Sequence, residues 1–450
     1  MNRDTTKIKI IQYNVGRRYE ATAQLLRHPE AVTADVIAIQ EPWTTEDHKA
    51  THNPVGGLFH AILPQSEKRP RVSLYVHRGI DMEKLRVRTY DNGDIVSVMI
   101  DADIPVAIHN IYNPHTDGSA PNQQYNGIPG NSVIPHMDEA IRDTHTYEQV
   151  VIGDFNLHHP RWTNRDLPRS KTNQTDCLID TMRRSGLDQC LVAGTVTRPA
   201  DRRGGIDSTI DLVWATQELR HRMEECRTRP DLEADSDHIP IETSIRMDIP
   251  RQLEKTRRRY KDMDQGKLNR HIQEHLPTDT PLHTTQQIET CTAEIARTID
   301  EAIANATPEV RIHRTYTKPG FCKDVIEKIK AARRARRKWQ RLMDDESQEE
   351  YRKTMRQKKN AILQANRNDH RERVSEVDSP ESLWKLANWV KNRGKPRTAF
   401  TPDIVYQGRR ITEWEQKADV FAATFFPAPP PAELGDILGY TYPPLSLIHI

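Results

Sequence analysis

The apolar run Val150-Val151-Ile152-Gly153 leads straight into a carboxylate and a carboxamide two positions apart, Asp154 and Asn156. Nothing in the run needs water, so it predicts a buried strand. Residues two apart on an extended chain share a side, so the strand end presents Asp154 beside Asn156 and sends Phe155 the other way, into the fold. Such a pair can also be a plain loop cap. The same pattern recurs, however, at Asn14, Glu41, Tyr112, Asp211 and the triplet Ser236-Asp237-His238, each ending or flanking an apolar stretch. Acidic groups converging from several strand ends would repel one another without a cation. A hard divalent ion with oxygen ligands, most simply Mg²⁺, resolves that repulsion, and His238 adds the side chain that titrates near neutrality. Taken singly, Glu41 before Pro42 reads as a solvated strand end and Asp237-His238 as a loop pair. Asp211, between Ile210 and Leu212, is a carboxylate in an apolar strand and needs a partner.

The elements that must position these groups follow from periodicity. Strands are predicted at Lys9 to Asn14, Val36 to Glu41, His60 to Leu63, Val72 to His77, Ile95 to Ile100, Val106 to Tyr112, Ser208 to Ala215 and Ile239 to Met247. Helices are predicted at Glu20 to Arg27, Val133 to Thr144 and Thr175 to Arg184, the last closed by Gly186. Strands with a few interleaved helices imply an α/β or α+β sandwich, and this patterning stops near Asp248-Ile249-Pro250. Beyond it, helical spacing dominates Leu268 to Leu276, Thr285 to Asn305 and Phe321 to Val377. Asp344-Asp345-Glu346-Ser347 interrupts the longest run and suggests a hairpin. Pro427-Ala428-Pro429-Pro430-Pro431 reads as an extended linker, and Pro443 to Ile450 ends without a closing element, as a truncated chain would. The domain reading is therefore 1–249, 250–400 and 401–450.

At 450 residues the chain can build two or three domains. Hydrophobic residues make up 36%, and no run approaches the roughly 20 apolar residues of a bilayer span. Five cysteines, scattered and without a Cys-x-x-Cys pair, argue against a disulfide scaffold or zinc finger and fit an intracellular setting. The net charge of +2 hides an asymmetry: Arg251 to Phe400 holds about 34 Lys and Arg against about 22 Asp and Glu, leaving the first half acidic. The basic excess peaks at Lys330 to Lys338.

Gln12-Tyr13-Asn14, Gln40-Glu41, Ile111-Tyr112-Asn113-Pro114, Gly153-Asp154-Phe155-Asn156, Thr209-Ile210-Asp211-Leu212 and Ser236-Asp237-His238 stand in the order found in the endonuclease/exonuclease/phosphatase superfamily. The chain resembles that group, which includes apurinic endonucleases and pancreatic deoxyribonuclease. Gly153 to Trp162, with His158-His159-Pro160-Arg161-Trp162, is similar to the endonuclease domain of LINE-type (non-LTR) retrotransposon second open reading frames. The basic helices with Trp384-Lys385-Leu386-Ala387 are similar to the connector that leads into a reverse transcriptase domain. No Tyr-x-Asp-Asp polymerase motif occurs in the chain.

The resemblance implies a four-layered sandwich of two mixed sheets flanked by helices, followed here by a mostly helical basic region. It implies Glu41 as a ligand of the metal, Mg²⁺ or alternatively Mn²⁺, with Asn14 supporting the metal or the scissile phosphate and Asp237 assisting at the metal or water. Asp154 would orient or deprotonate the attacking water and Asn156 would hold the phosphate or that water. Tyr112 would touch a phosphate oxygen. Asp211 would hold His238, which would stabilise developing charge or act as acid–base. Thr197 and Ser236 match positions supporting the phosphate-binding geometry. Arg198, Arg202 and Arg203, in the loop before Asp211, suit a minor groove or phosphates. Adjacent His158 and His159 diverge in direction and are not expected to ligate together. Some repair relatives carry an acid where Gly16 stands, which weakens the case for a second carboxylate-bound metal. The implied activity is nicking of double-stranded target DNA, in the nucleus, to leave a 3′-hydroxyl primer, with element RNA as a partner for the basic helices and no membrane. Two alternatives remain open: a same-fold phosphoesterase acting on small molecules or lipids, and a decayed remnant that only binds nucleic acid.

Overall fold

The computed structural model describes residues 6–53, 58–64, 66, 68–115, 125, 127–163, 173–200, 205–251, 256–276, 284–311, 322–392, 404–411 and 414–426. The chain forms two compact units, Met1–Arg397 and Thr398–Ile450.

Two six-stranded mixed sheets make up the first half of the larger unit. Sheet I runs, edge to edge, Met223–Thr228 (β11), Ile241–Arg246 (β12), Lys7–Asn14 (β1), Val36–Gln40 (β2), Val72–His77 (β4) and Phe59–Ile62 (β3). Sheet II runs Leu85–Thr89 (β5), Ile95–Ile100 (β6), Val106–Tyr112 (β7), Glu148–Asp154 (β8), Asp211–Thr216 (β10) and Leu187–Gln189 (β9). Each sheet has one parallel pair, β1 with β2 and β7 with β8; the remaining pairs are antiparallel.

Residue parity decides what faces where. Ile11, Tyr13, Ile37 and Ile39 pack outward against helix Tyr19–Leu25 (α1) through Ala21 and Leu25. Ile111, Val151, Leu212 and Trp214 pack outward against Ile134–Asp143 (α2), the short Pro160–Thr163 (α3) and Asn173–Arg184 (α4) through Met137, Trp162 and Leu178. The alternate positions face the other sheet. There the Gln12 amide donates to the Gly153 carbonyl at 2.9 Å, Gln40 to Asn110 at 2.5 Å, and Asn110 to the Ile39 and Ser73 carbonyls at 3.0 and 2.9 Å. Buried amides thus bolt the sheets together, and Asn14, Asp154 and Asp211 lie on this same inner face. Gly153 is fixed by close approach, since a side chain there would collide with the Ile111 carbonyl on β7.

The apolar strands appear where periodicity predicts them. Within the two six-stranded sheets three were not predicted: β5, β9 and β11. All are sheet edges, and Leu-Arg-Val-Arg-Thr and Met-Glu-Glu-Cys-Arg-Thr carry charges at exposed and half-exposed positions that suit an edge but hide the strand pattern.

After Gln217–His221 (α5) and β12, the larger unit continues with Thr256–Arg258 (β13), Gln265–His275 (α6), Thr285–Ala306 (α7) and Glu309–Arg311 (β14), the two strands pairing antiparallel. The predicted hairpin follows: Lys323–Leu342 (α8) and Asp345–Ser375 (α9), then Pro380–Asn392 (α10). Its turn is set by Met343 in the left-handed region and by Asp344, whose carboxylate caps α9 by accepting from the Ser347 N–H. Trp339 stacks on Tyr351 across the hairpin. The smaller unit has a two-stranded ribbon, Ile404–Tyr406 (β15) and Arg409–Ile411 (β16), turning at left-handed Gln407 and Gly408, and a helix Trp414–Phe425 (α11). The Pro-rich tail from 427 lies outside the described residues. None of the described helices is long and apolar enough to cross a membrane.

Candidate active site

At one end of the space between the sheets, a cleft of about 180 Å³ is lined by Asn14, Gly16, Glu41, Tyr112, His115, Asp154, Asn156, Arg198, Asp237 and His238. Strand register explains the meeting. Asp154, ending β8, stands opposite both Tyr112 on β7 and Asp211 on β10. Sheet I supplies Asn14 from the end of β1, and Glu41 follows β2.

Asp154 is 1% exposed. Its carboxylate accepts from the Asn14 amide at 2.8 Å and from the Asn156 backbone N–H at 3.0 Å. Burial, and then the Asp211 charge, push its pKa well above the usual carboxylate range, against the pull of His238. Asn156 does lie beside Asp154, but not by strand alternation. It sits past the strand in the left-handed region (φ +50°), and its amide donates to the Asn113 carbonyl at 2.9 Å. Phe155 is fully buried, on the predicted side.

Asp211 accepts from His238 Nδ1 at 2.8 Å, while His238 Nε2 lies 3.9 Å from Asp154. Burial works against a charged imidazole. The Asp211 charge and hydrogen bond, with Asp154 and Asp237, outweigh it and raise the His238 pKa to about 9. Thr197 and Ser236 are buried and do not line the cleft; they hold the pieces that do. The Thr197 hydroxyl accepts from the Ile210 and Asp211 N–H groups at 3.1 and 3.2 Å, and its carbonyl from Ile239. Ser236 donates to the Asn14 carbonyl at 2.5 Å, clipping the His238 loop to β1.

The opposite wall is more open. Glu41 adopts φ +46°, accepts from the Tyr112 hydroxyl at 2.6 Å and lies 3.6 Å from Arg17. Tyr112 has its pKa raised by burial and by Glu41. Asp237 pairs with Arg198 at 2.9 Å, and although burial opposes it, His238 and Arg198 hold its carboxyl below the ordinary range. Arg202 and Arg203 lie outside the described residues. Gly16 sits at φ +57°, where an acidic side chain would be strained.

Three contributors escaped the sequence reading. Asn113 anchors two loops, donating to the Phe155 carbonyl and accepting from the Val133 N–H; an amide at a strand end, like Asn14, was its available signal. Arg71 lies over the Tyr112 ring at 5.4 Å, held bidentate by Asp94 at 2.5 and 2.6 Å, and nothing in sequence marks it. His115 lines the cleft next to Asn113-Pro114.

The donor set fits a divalent cation. Buried Asp154 and Asp211 bring two carboxylates within 4.8 Å of each other and of His238. The buried Asp211 Oδ1 has no hydrogen-bond partner among the described residues, and Asp154 is held far from its ordinary ionisation. Glu41, Asp154, Asp211 and Asp237 outnumber the cationic Arg198 and His238 there, an excess of carboxylate oxygen compatible with a hard ion.

A family model described as "Endonuclease-reverse transcriptase" matches residues 106–242. The match takes in Tyr112, Asp154, Asn156, Asp211 and His238, and leaves out Asn14 and Glu41. Among solved structures, the chain is similar to the endonuclease domain of TRAS1, a telomere-specific non-LTR retrotransposon, at 21% identity over 53% of this chain and 98% of that one (TM-score 0.41). It is also similar to the AP endonuclease LMAP from Leishmania major, at 16% over 54% and 88% (TM-score 0.43), and to the catalytic domain of Xenopus laevis APE2, at 13% over 54% and 93% (TM-score 0.43). No curated protein matches the chain. Two six-stranded mixed sheets form a sandwich, and over residues 106–242 the chain is similar to the endonuclease–reverse transcriptase family.

Proposed function

We propose that this protein is a divalent-metal-dependent DNA endonuclease that nicks one strand of a duplex, and that the 3′-hydroxyl it leaves primes reverse transcription during retrotransposition. The observation that carries the reading is the meeting of Asn14, Asp154, Asp211 and His238 from both sheets at one cleft, with Glu41 and Tyr112 across from them. The match to an endonuclease–reverse transcriptase family supports the retroelement setting.

Glu41 and Asn14 are the oxygen donors we assign to Mg²⁺. His238 is held protonated by Asp211, and an imidazolium has no lone pair to give; Asp237 is already matched by Arg198. Bound there, the ion would supply a Lewis acid that lowers the charge barrier between an anionic phosphodiester and its nucleophile. The chain's own residues do the rest. Asp154 orients a water and takes its proton as the oxygen bonds to phosphorus. The phosphorus–O3′ bond breaks, the phosphate stays on the 5′-oxygen of the downstream nucleotide, and the leaving 3′-oxygen takes a proton from solvent. His238, fixed by Asp211, donates from Nε2 to the phosphoryl oxygens as their charge grows. Asn156 and Tyr112 flank that position.

Supercoiled plasmid incubated with the protein and Mg²⁺ is expected to become open circles whose nicks a DNA polymerase extends directly, and chelator is expected to stop it. Nicks ending in a 3′-phosphate, or a rate unmoved by chelator, would refute the assignment.

A further inference from the structure

We propose that Lys358 of α9, acting through Asp235, and Arg333 and Arg336 of α8, acting through residues 231–233, hold the loop that delivers Asp237 and His238 to the cleft. The inference rests on the DNA-endonuclease reading above. It makes the three cations positioning residues, since none of them lines the cleft.

The loop is pinned to the sandwich at both ends. At its start Arg229 pairs with Glu242 of β12, and at its end the Ile239 N–H donates to the Thr197 carbonyl at 2.7 Å. Between them, Leu232 and Ala234 are buried in one core with Tyr13 and Ala21, and the Ala234 N–H donates to the Tyr13 hydroxyl at 2.8 Å. Glu233 and Asp235 alternate with these residues, and their carboxylates meet the hairpin. Arg336 pairs with Glu233, and Lys358, its side chain only 3% exposed, pairs with Asp235. The buried Arg333 donates to the Glu233 carbonyl at 2.6 Å and also to that of Asp231. Each contact joins residues at least 100 positions apart.

What the hairpin grips is a strained residue just ahead of the site. Asp235 is at φ +61°, a conformation that a residue other than glycine keeps only where its surroundings enforce it. Its carbonyl accepts from Arg18 and its carboxylate meets Lys358, so main chain and side chain are both held. The chain passes directly into Ser236, whose hydroxyl accepts from the His238 N–H at 3.3 Å and donates to the Asn14 carbonyl at 2.5 Å. A change of backbone at Asp235 therefore moves Asp237 and His238, and a shift of about 1 Å at a reacting group costs about 100-fold in rate. Stability alone is a poor reason for these pairs. Burial pushes the Lys358 pKa down against the pull of Asp235, and pushes that of Glu233 up against Arg336 and Arg333. Buried pairs of this kind add little net stability, and their use is to fix one arrangement of the chain.

The test uses the full chain. Plasmid nicking with Mg²⁺ gives kcat and KM, and hydrogen exchange of peptides covering residues 229–240 is followed in chelator. K358M leaves Asp235 without its cation. It is expected to melt lower, to lose kcat about 10- to 100-fold with KM unchanged, and to exchange about tenfold faster in this loop. D235N/K358M removes both charges, and asparagine tolerates the left-handed backbone. Its melting temperature is expected to return to the parent's while kcat stays low and the loop still exchanges fast. K338A, which breaks the exposed pair with Glu350 inside the hairpin, is expected to match the parent throughout. Parent kcat in the double variant, or a kcat loss that follows melting temperature across the three variants, overturns the proposal. A parent that nicks while loop exchange is unchanged in both Lys358 variants refutes the hairpin's role alone. A parent that does not nick while D235N/K358M frees the loop refutes the endonuclease reading alone, and a parent that does not nick with loop exchange unchanged refutes both.

Discussion

The two walls of the cleft are built to opposite rules. On one, Asp154, Asp211 and His238 are 1, 2 and 6% exposed and joined through Asn14, Thr197 and Ser236. On the other, the Glu41 side chain is 20% exposed, sits on a left-handed backbone, and touches Tyr112 and Arg17. A group that moves protons needs one fixed hydrogen-bond pattern and a low dielectric, which burial provides. A group that takes an ion from solution must stay reachable by water. The left-handed Glu41 is held by its own N–H to the Arg71 carbonyl and by Arg17 to its carbonyl, both at 2.8 Å. That strain sits where function would justify it.

Separating the walls by mutation gives the largest expected effects. Glu41→Ala and His238→Ala should each nearly abolish nicking at limiting Mg²⁺, by about 10²- to 10⁴-fold for the histidine. They should differ on titration: excess Mg²⁺ or Mn²⁺ recovers part of the Glu41→Ala rate and none of the His238→Ala rate. Identical metal titrations would erase the distinction between the walls.

Next in size is Asp154→Asn, expected to lower nicking by about 10³-fold while melting at the same or a higher temperature in chelator at pH 8. The sign follows from the raised pKa. The unfolded carboxyl ionises near pH 4, the folded one well above that, so the negative charge costs stability increasingly as pH rises between those values. A lower melting temperature for this variant at pH 8 would contradict the charge-poor reading of the site.

The Asp211–His238 pair gives a pH signature. Its contribution to stability is complete below the unfolded imidazole pKa of about 6.5 and is lost as pH rises through about 9. Nicking should fall on the same alkaline limb, and Asp211→Asn should shift that limb to lower pH; a pH–rate profile checks it. The smallest effect belongs to Thr197→Val, which leaves two backbone N–H groups without their acceptor. It should cost about 1 to 2 kcal/mol in denaturant unfolding without moving the limb.

Much of this was legible in the residues. Each polar group at the end of an apolar strand was visible, since an acid or amide after a β-branched run stands out against its neighbours. Asp211, flanked by Ile210 and Leu212, advertised a partner, and that partner is His238. The turn between α8 and α9 was equally plain in Asp344 and Ser347. Less visible were groups whose meaning depends on contacts distant in sequence. Arg71 reads as any surface arginine until Asp94 and Tyr112 surround it. Lys358 and Arg333 read as a solvated basic face until the Asp231–Asp235 loop turns them inward.

By itself the sequence determined the local terms: strand and helix periods, the caps, and the inventory of oxygen donors, because these depend on neighbours within a few residues. Only the tertiary structure decided which donors meet, since register across β7, β8 and β10 joins residues 42 and 57 positions apart and the Gln12–Gly153 bond between sheets joins residues 141 apart. It alone also decided that the basic hairpin rests on the Asp231–Asp235 loop, because a charge finds its partner through space and no spacing rule along the chain encodes that.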